Sequence, residues 1–284
     1  MRLAVLADVH GNLRALEAVL ADVARHAPDA VVDLGDCVAG PLQAADTADL
    51  LMGRGFVTVR GNHDRQLVEL APEAMGATDR AADAQLLPRH RAWLAALPAT
   101  AAVGDVLCCH GTPSDDLAYL LEAVHPDGAV TAAPPPLVAE RLGATAARVI
   151  VCGHTHVPRT VVASDGRVVV NPGSVGLQAF EWDVPRPHRV AVGSPHARWA
   201  LLDLGGGAPR VAHHAVPYDW DAAAADAARA GRPDWARALA RGAKDGRALQ
   251  LPGAHNVPYT HPELLSAVLA QAAAGVGSAQ PGAS

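Results

Sequence analysis

Five short apolar segments of the chain are each followed by polar side chains of the kinds that bind metals or transfer protons. The clearest is the alternating, strand-like run at residues 57–60. After it, Gly61 introduces an amide, an imidazole and a carboxylate in succession, Asn62, His63 and Asp64. Because α/β sheets bind ligands beyond the carboxyl ends of their strands, such a group is typical of a reaction site. A polar turn is the alternative for this segment taken alone.

The other four segments end in side chains of the same kinds: Asp8 and His10, Asp36, His110, and His154 and His156. Gathered at one sheet edge, the five ends would hold three carboxylates, five imidazoles and an amide. Carboxylates this close repel one another and are costly to bury, and divalent cations would offset both effects. Nitrogen and oxygen ligands without thiolate favour Mn, Fe, Zn, Ni or Co, and the size of the set suits two ions about 3.5–4 Å apart.

The elements that must position these side chains alternate between strand and helix at the start of the chain. A buried strand is predicted at residues 2–7, followed by an amphipathic helix capped by Asn12 and a second strand at 31–34. This order is typical of a parallel sheet with right-handed crossovers. Later strands are predicted at 100–103, 105–109, 148–151, 157–163, 167–170, 198–204 and 211–216. Helices are predicted at 44–52, 88–97, 117–121, 137–142, 220–230, 233–241 and 263–270.

Composition narrows the class of protein. Half of the 284 residues are apolar, so a sizeable core is expected, and the net charge of −6 argues against a surface for duplex nucleic acid. No apolar stretch has the length of a membrane span, which argues against a membrane protein. Asp8 interrupts the N-terminal apolar run too early for a signal peptide, so a cytoplasmic location is expected.

Several other side chains are interpreted as parts of the core. The four cysteines lack the paired spacing of a zinc site and are predicted to be small buried groups, with oxidation-sensitive thiols as the alternative: Cys37, Cys108, Cys109 and Cys152. Four tryptophans are predicted to be packing residues: Trp182, Trp199, Trp220 and Trp235. Asp33 is predicted to be a hydrogen-bonded core acid.

Taken in order, the polar blocks resemble a known signature. Asp8-x-His10, Gly35-Asp36, Gly61-Asn62-His63-Asp64, His110 and Gly153-His154-x-His156 are similar to the five blocks of the calcineurin-like metallophosphoesterases. The segment Asn-Pro-Gly-Ser-Val-Gly at 171–176 looks like an extra motif of their small bacterial and archaeal phosphodiesterase branch. The resemblance implies an α/β fold, a four-layer α/β/β/α sandwich of two mixed sheets flanked by helices. It extends over residues 1–242, and residues 243–284 are expected to be a partly ordered tail that forms no separate domain.

The resemblance also divides seven ligands between two divalent transition-metal ions. One ion is held by Asp8, His10 and His156, and the other by Asn62, His110 and His154, while Asp36 and a hydroxide bridge the two. Manganese is the favoured metal, with Fe, Zn, Ni and Co as alternatives.

The implied activity is hydrolysis of a small phosphoester, as a phosphodiesterase or phosphatase. The bridging hydroxide attacks phosphorus in line, and His63, similar to the proton donor of the family, protonates the departing alkoxide. Asp64 is expected to orient His63 by accepting a hydrogen bond from it. Substrate contacts are assigned to Asn12, Arg60 and His196, with helix capping as the alternative for Asn12 and an ion pair for Arg60.

Three other functions remain as alternatives. Protein Ser/Thr phosphatases and dinucleoside polyphosphate hydrolases use the same ligand set, so the ligands do not separate them from the first interpretation. A non-catalytic binding scaffold, like the retromer subunit that has this fold with an impaired site, is disfavoured because no expected ligand is missing and His63 is present. Homo-oligomerisation is compatible with the sequence.

Overall fold

The structure is a computed structural model that describes residues 1–242. The first part of the chain contains β1 (Arg2–Leu6), α1 (Leu13–His26), β2 (Ala30–Asp33), α2 (Ala44–Met52), β3 (Val57–Thr58), α3 (Asn62–Glu69), α4 (Ala77–Asp83), α5 (Pro88–Ala96), β4 (Thr100–Val103) and β5 (Val106–Cys109). The second part contains β6 (Glu122–Val124), β7 (Val130–Ala132), α6 (Pro135–Leu142), β8 (Val149–Val151), β9 (Arg159–Val162), β10 (Val168–Asn171), β11 (Ala179–Trp182), β12 (His188–Ala191), β13 (Ala197–Asp203), β14 (Arg210–Val216), α7 (Trp220–Arg229) and α8 (Pro233–Arg241).

Two five-stranded mixed sheets form the centre of the fold. The first has the order β14-β13-β1-β2-β3, in which β1, β2 and β3 are parallel and β13 and β14 run antiparallel to their neighbours. The second has the order β4-β5-β8-β10-β9, with three parallel strands in the middle and an antiparallel strand at each edge. The pairs β6–β7 and β11–β12 form separate hairpins.

Alternation along the strands divides their side chains between three cores. Leu3 and Val5 of β1 lie in the core between the two sheets, with Val106 and Val151 of the second sheet. The intervening β1 residues, Ala4 and Leu6, pack against α1 and α2 instead.

The same alternation places Ile150 of β8 against Val138 and Leu142 of α6, on the outer face of the second sheet. Helices therefore cover both outer faces of the paired sheets. This arrangement confirms the predicted α/β/β/α sandwich.

The segment between β5 and α6 differs from its prediction. No helix forms at residues 117–121, which bend and then enter the hairpin β6–β7. A five-residue helix has little stability of its own. Here the carbonyl of Leu120 accepts a hydrogen bond from the guanidinium of Arg141, and Leu120 and Leu121 reach the core without helical backbone. The hairpin β11–β12 was also not predicted.

The predicted tail at 243–284, with its helix at 263–270, lies outside the described residues. Residues 1–242 belong to one compact unit. None of the helices within 1–242 combines the length and apolar character needed to cross a membrane.

The segment at 171–176 closes the space between the two sheets. The amide of Asn171 donates to the carbonyl of Gly153 at 2.7 Å, and the hydroxyl of Ser174 donates to the carbonyl of Asp8 at 2.8 Å. Gly176 donates its backbone N–H to the same carbonyl at 3.0 Å. The segment therefore joins the loop after β1 to the loop after β8.

Gly176→Ala tests the tightness of this junction. A Cβ at Gly176 would lie 1.8 Å from the carbonyl oxygen of Val9, so the backbone must move. We expect a loss of about 1–3 kcal/mol or more in the free energy of unfolding, measured by urea denaturation. Gly206→Ala is the control, because a Cβ there meets nothing within 4 Å. Equal stability of the two variants would contradict the description of the junction.

Candidate metal centre

The five polar blocks come together where the parallel strands of both sheets end. Asp8 and His10 follow β1, Asp36 follows β2, and His110 follows β5. The remaining residues begin α3 (Asn62, His63 and Asp64) or follow β8 (His154 and His156). His110 of the second sheet has its Nε2 3.3 Å from Oδ2 of Asp36 in the first, so both sheets supply the same site.

Within the part of the chain that the structure describes, these side chains form two groups of candidate metal ligands. In one, Asp8, His10 and His156 offer ligand atoms that all lie within 4.8 Å of one another. In the other, Asp36, His110 and His154 do the same.

Two further contacts complete these groups. Oδ1 of Asn62 is 3.1 Å from Nε2 of His110. Asp36 faces both groups, since its Oδ2 lies 3.9 Å from Nε2 of His10 and 3.3 Å from Nε2 of His110. A carboxylate between two ligand groups is the arrangement that a bridging ligand requires.

Each of the four candidate ligand histidines has one ring nitrogen bonded to a backbone carbonyl. Nδ1 of His10, His110 and His156 lies 2.9, 2.7 and 2.6 Å from the carbonyls of Ala39, Leu34 and Leu177. These bonds hold the ring orientation and direct Nε2 into the centre. His154 uses the opposite nitrogen for its backbone bond, since its Nε2 lies 3.1 Å from the carbonyl of Leu117. Nδ1 is therefore the nitrogen that His154 has available for a ligand bond.

The backbone at these residues is in an unusual conformation. Among the described residues, six non-glycine residues have positive φ, and five of them are Asp8, His10, Asp36, His154 and His156, with φ between 52° and 69°. Left-handed backbone at non-glycine residues stores strain and clusters at functional sites. It is held here by hydrogen bonds between the loops, such as Asp8 N–H to Gly35 and His10 N–H to Asp36, both at 2.9 Å.

The ionisation states of the side chains in the two groups favour the binding of a cation. Burial opposes ionisation of Asp36, but His110 and His63 outweigh it and hold the pKa of Asp36 well below its usual range. Burial and the neighbouring imidazoles lower the pKa of His10 and of His154 to about 3, so both rings are neutral, as metal ligands must be. His110 differs, because Asp36 and Asp8 outweigh the effect of burial and raise its pKa to about 10, so a bound ion would replace the proton on this ring. Buried carboxylates and imidazoles together are a fitting donor set for divalent transition-metal ions.

Asp64 does not orient His63, so that expectation is wrong. Both oxygens of Asp64 accept backbone N–H groups, from Asp36 at 2.7 Å, Cys37 at 3.0 Å and Gly61 at 3.0 Å. His63 and Asp64 are consecutive residues of α3, and consecutive helical side chains do not face each other. Asp64 instead fixes the loop that carries Asp36.

The partner of His63 is Asp79, a buried residue of α4, which the sequence analysis did not identify. Its Oδ1 lies 2.6 Å from Nδ1 of His63. Burial disfavours the charged ring, but Asp36 and the bond to Asp79 outweigh it and raise the pKa of His63 to about 9. His63 lines the cleft beside the centre, where a protonated imidazole can serve as a proton donor. Sixteen positions separate the pair along the chain, so no local sequence signal marks it.

A cleft of about 370 Å³ opens beside the two ligand groups. Its far wall comes from β11 and α8, with Phe180, Trp182, Arg232 and Trp235 among the lining residues. Trp235 is buried in the core beside α7 and α8, as predicted, and it lines the cleft as well. Trp182 is half-buried and also lines the cleft, a position that the packing interpretation did not include. The amphipathic pattern of α8 places Trp235 on its buried face, but only the tertiary structure brings that face to the ring of His10, at 6.0 Å between centroids. Trp199 is a core residue, as predicted.

The three predicted substrate contacts do not line the cleft. Asn12 is fully buried: its oxygen caps α1 at the N–H of Ala15, and its nitrogen donates to the carbonyl of Gly176. Arg60 pairs with Glu69 at 3.8 Å. His196 bonds to the hydroxyl of Ser194 through Nδ1 at 2.8 Å, and its ring contacts Trp220. The structural alternatives for Asn12 and Arg60 therefore describe these residues, and His196 is engaged away from the cleft.

The four cysteines are buried and form no disulfide. Burial raises the pKa of each thiol, which disfavours the reactive thiolate and supports packing as their role. Asp33 is fully buried and accepts a hydrogen bond from the N–H of Gly35, as expected of a core acid.

Comparison with known proteins agrees with this geometry. Residues 1–185 match the model of the calcineurin-like phosphoesterase superfamily domain. The crystal structure of a metallophosphoesterase from Sphaerobacter thermophilus is similar at a TM-score of 0.66 and 26% identity, over 86% of this chain and 99% of that chain. A hypothetical protein from Pyrococcus horikoshii OT3 shares the fold at a TM-score of 0.65 and 20% identity, over 86% and 99% of the two chains. No curated protein matches the sequence.

Asp64→Asn tests the role of the three backbone bonds. An asparagine offers one acceptor oxygen in place of two, so at least one buried N–H loses its partner, at a cost of about 1–3 kcal/mol in the free energy of unfolding. We also expect weaker metal binding, because the loop that carries Asp36 is no longer held. Urea denaturation and metal analysis measure the two effects, and Asp105→Asn, at an exposed position, is the control. Unchanged stability and metal content would refute the assigned role.

Proposed function

The chain belongs to the calcineurin-like phosphoesterase superfamily, and from that membership we propose that it is a metal-dependent hydrolase of small phosphoesters. The observation that carries the proposal is the pair of buried ligand groups with Asp36 between them, opening on a cleft lined by His63. A cleft of about 370 Å³ is within the range of sites for small molecules. It favours a small ester over the surface of a protein substrate.

Seven residues would hold two divalent ions. Asp8, His10 and His156 face one position, Asn62, His110 and His154 face the other, and Asp36 reaches both. Two bound ions supply an activated water and polarise the phosphoryl oxygens. Manganese is the favoured metal, with Fe, Zn, Ni and Co as alternatives, because mixed imidazole and carboxylate ligands suit each of them.

His63 is the residue that we assign to proton transfer. Asp79 engages its Nδ1, which leaves Nε2 available to a leaving group in the cleft. The ring is protonated at neutral pH, since its pKa is raised to about 9. His63 would therefore give its proton to the alkoxide as the ester bond breaks, while water attacks phosphorus from the opposite side.

The far wall of the cleft would receive the organic part of the ester. Phe180, Trp182 and Trp235 offer aromatic surface, and Arg232 offers a cation that also pairs with Asp234 at 2.8 Å. Aromatic surface with a few polar groups is the usual composition of sites for small organic ligands. An aryl phosphodiester is accordingly a suitable first substrate.

The dinucleoside polyphosphate hydrolase and the protein phosphatase remain alternatives with the same ligands, and a substrate panel separates them. The binding scaffold is disfavoured, because both ligand groups are complete and His63 is aligned by Asp79.

His63→Ala tests the assigned proton donor. With Mn²⁺ and an aryl phosphodiester, we expect the rate to fall by about 10²–10⁴-fold while metal content stays unchanged. A chelator should abolish the activity of the wild-type protein, and added Mn²⁺ should restore it. His125→Ala, an exposed histidine, should retain full activity. A fully active His63→Ala would remove this residue from the mechanism.

Asp79→Asn separates alignment of the proton donor from a structural role. Loss of the carboxylate weakens both the alignment and the protonation of His63. We expect kcat to fall by about 10²-fold for esters with alkyl leaving groups, within the range of general acid catalysis. Esters with acidic phenol leaving groups should change little, because they depart without a proton. Asp46→Asn, at an exposed position, is the control. Equal losses with both kinds of ester would show that Asp79 acts only on structure.

A further inference from the structure

A third group of metal-binding side chains lies away from the cleft. Asp22 and His26 occupy consecutive turns of α1, and His214 comes from β14, the edge strand of the first sheet. Each offers one ligand atom, and the three atoms lie within 4.8 Å of one another. Since α1 begins after Asn12, His26 lies about 21 Å further along the helix axis from the candidate metal centre.

Trp199 holds two of these side chains in place. Its indole N–H donates to Oδ2 of Asp22 at 2.8 Å, as outer groups do for metal-binding carboxylates. Its ring stacks on that of His214 with a centroid distance of 4.1 Å and an interplanar angle of 12°. Trp199 and His214 are direct neighbours across the β13–β14 pair. The carboxylate and the imidazole are therefore oriented before any ligand arrives.

His214 has two ring nitrogens that a cation could use. Its Nε2 is buried and has no hydrogen-bond partner among the described residues. Its Nδ1 lies 3.9 Å from Oδ2 of Asp22. His26 is half-buried in the last turn of α1, where the helix dipole favours a positive charge.

The remaining charge near the group comes from Arg25. Its guanidinium pairs with Oδ1 of Asp22, but the side chain is 74% exposed and can turn into solvent. A cation with two imidazole ligands would displace Arg25 from the carboxylate.

We propose that Asp22, His26 and His214 bind one divalent transition-metal ion, of which Zn²⁺ is the best match, at a site separate from the candidate catalytic centre. Two imidazoles and a carboxylate are common zinc ligands, and water completes the coordination. The ion links the last turns of α1 to the edge strand β14, where the rings of His26 and His214 already lie 4.5 Å apart between centroids. Its role is structural, and it takes no part in hydrolysis.

Zinc stoichiometry of the full-length protein tests the site. After equilibrium dialysis against Zn²⁺, we expect wild type to hold one equivalent more than His26→Gln and one more than His214→Gln. His125→Gln, an exposed histidine elsewhere, should bind as much as wild type. Arg25→Ala should bind the additional equivalent more tightly, because the competing cation is gone.

The variants also separate this site from the proposed hydrolysis. His26 is on the surface of α1, so His26→Gln should keep the wild-type circular dichroism spectrum and phosphoesterase rate while losing one equivalent of zinc. Equal zinc content in wild type and His26→Gln would overturn the proposal, as would an equal loss in His125→Gln. Absence of hydrolysis in every variant would count against the proposed function and leave the zinc difference intact.

Discussion

The arrangement of the site depends on the burial of two carboxylates side by side, beyond the ends of β1 and β2. Asp8 and Asp36 are almost inaccessible to solvent, and four buried imidazoles surround them. Charge buried at this density needs compensation, which protons on the imidazoles or divalent cations can supply. The side chains of the site follow five strands from two sheets, so they come together only when the two sheets pack against each other.

The loops that follow these strands have strained backbone conformations. Five candidate ligand residues adopt left-handed conformations, and hydrogen bonds from one loop to the next keep them there. Asp64 contributes two of these bonds, to the N–H groups of Asp36 and Cys37, and the buried segment at 171–176 joins the loop after β1 to the loop after β8. The loops that carry Gly61 and Asp36 also pack closely, since a Cβ on Gly61 would lie 2.2 Å from Oδ1 of Asp36. The site is therefore a property of interlocked loops more than of single residues.

The residues that line the cleft come from two parts of the chain. The candidate ligands, His63 and the β11 residues Phe180 and Trp182 lie within residues 1–185, which match the family model. Arg232, just before α8, and Trp235 within it lie beyond that match. In the proposed function, the first part performs the chemistry and α8 helps to select the ester. The proposed zinc site on α1 and β14 lies away from the cleft, so changes there can alter stability without altering the cleft.

The sequence by itself determined most of the strands and the set of polar side chains at the strand ends, because strand periodicity and the order of polar blocks are local properties. The four-layer sandwich followed from the family resemblance that those blocks carry. It did not determine which side chains meet across long distances. Asp79 aligns His63 from another helix, and Trp182 and Trp235 reach the cleft from β11 and α8. Asp64 bonds to three backbone N–H groups and not to His63, because adjacent side chains on a helix point in different directions. Such pairings depend on how helices and loops pack over the sheets, and only the tertiary structure decides that.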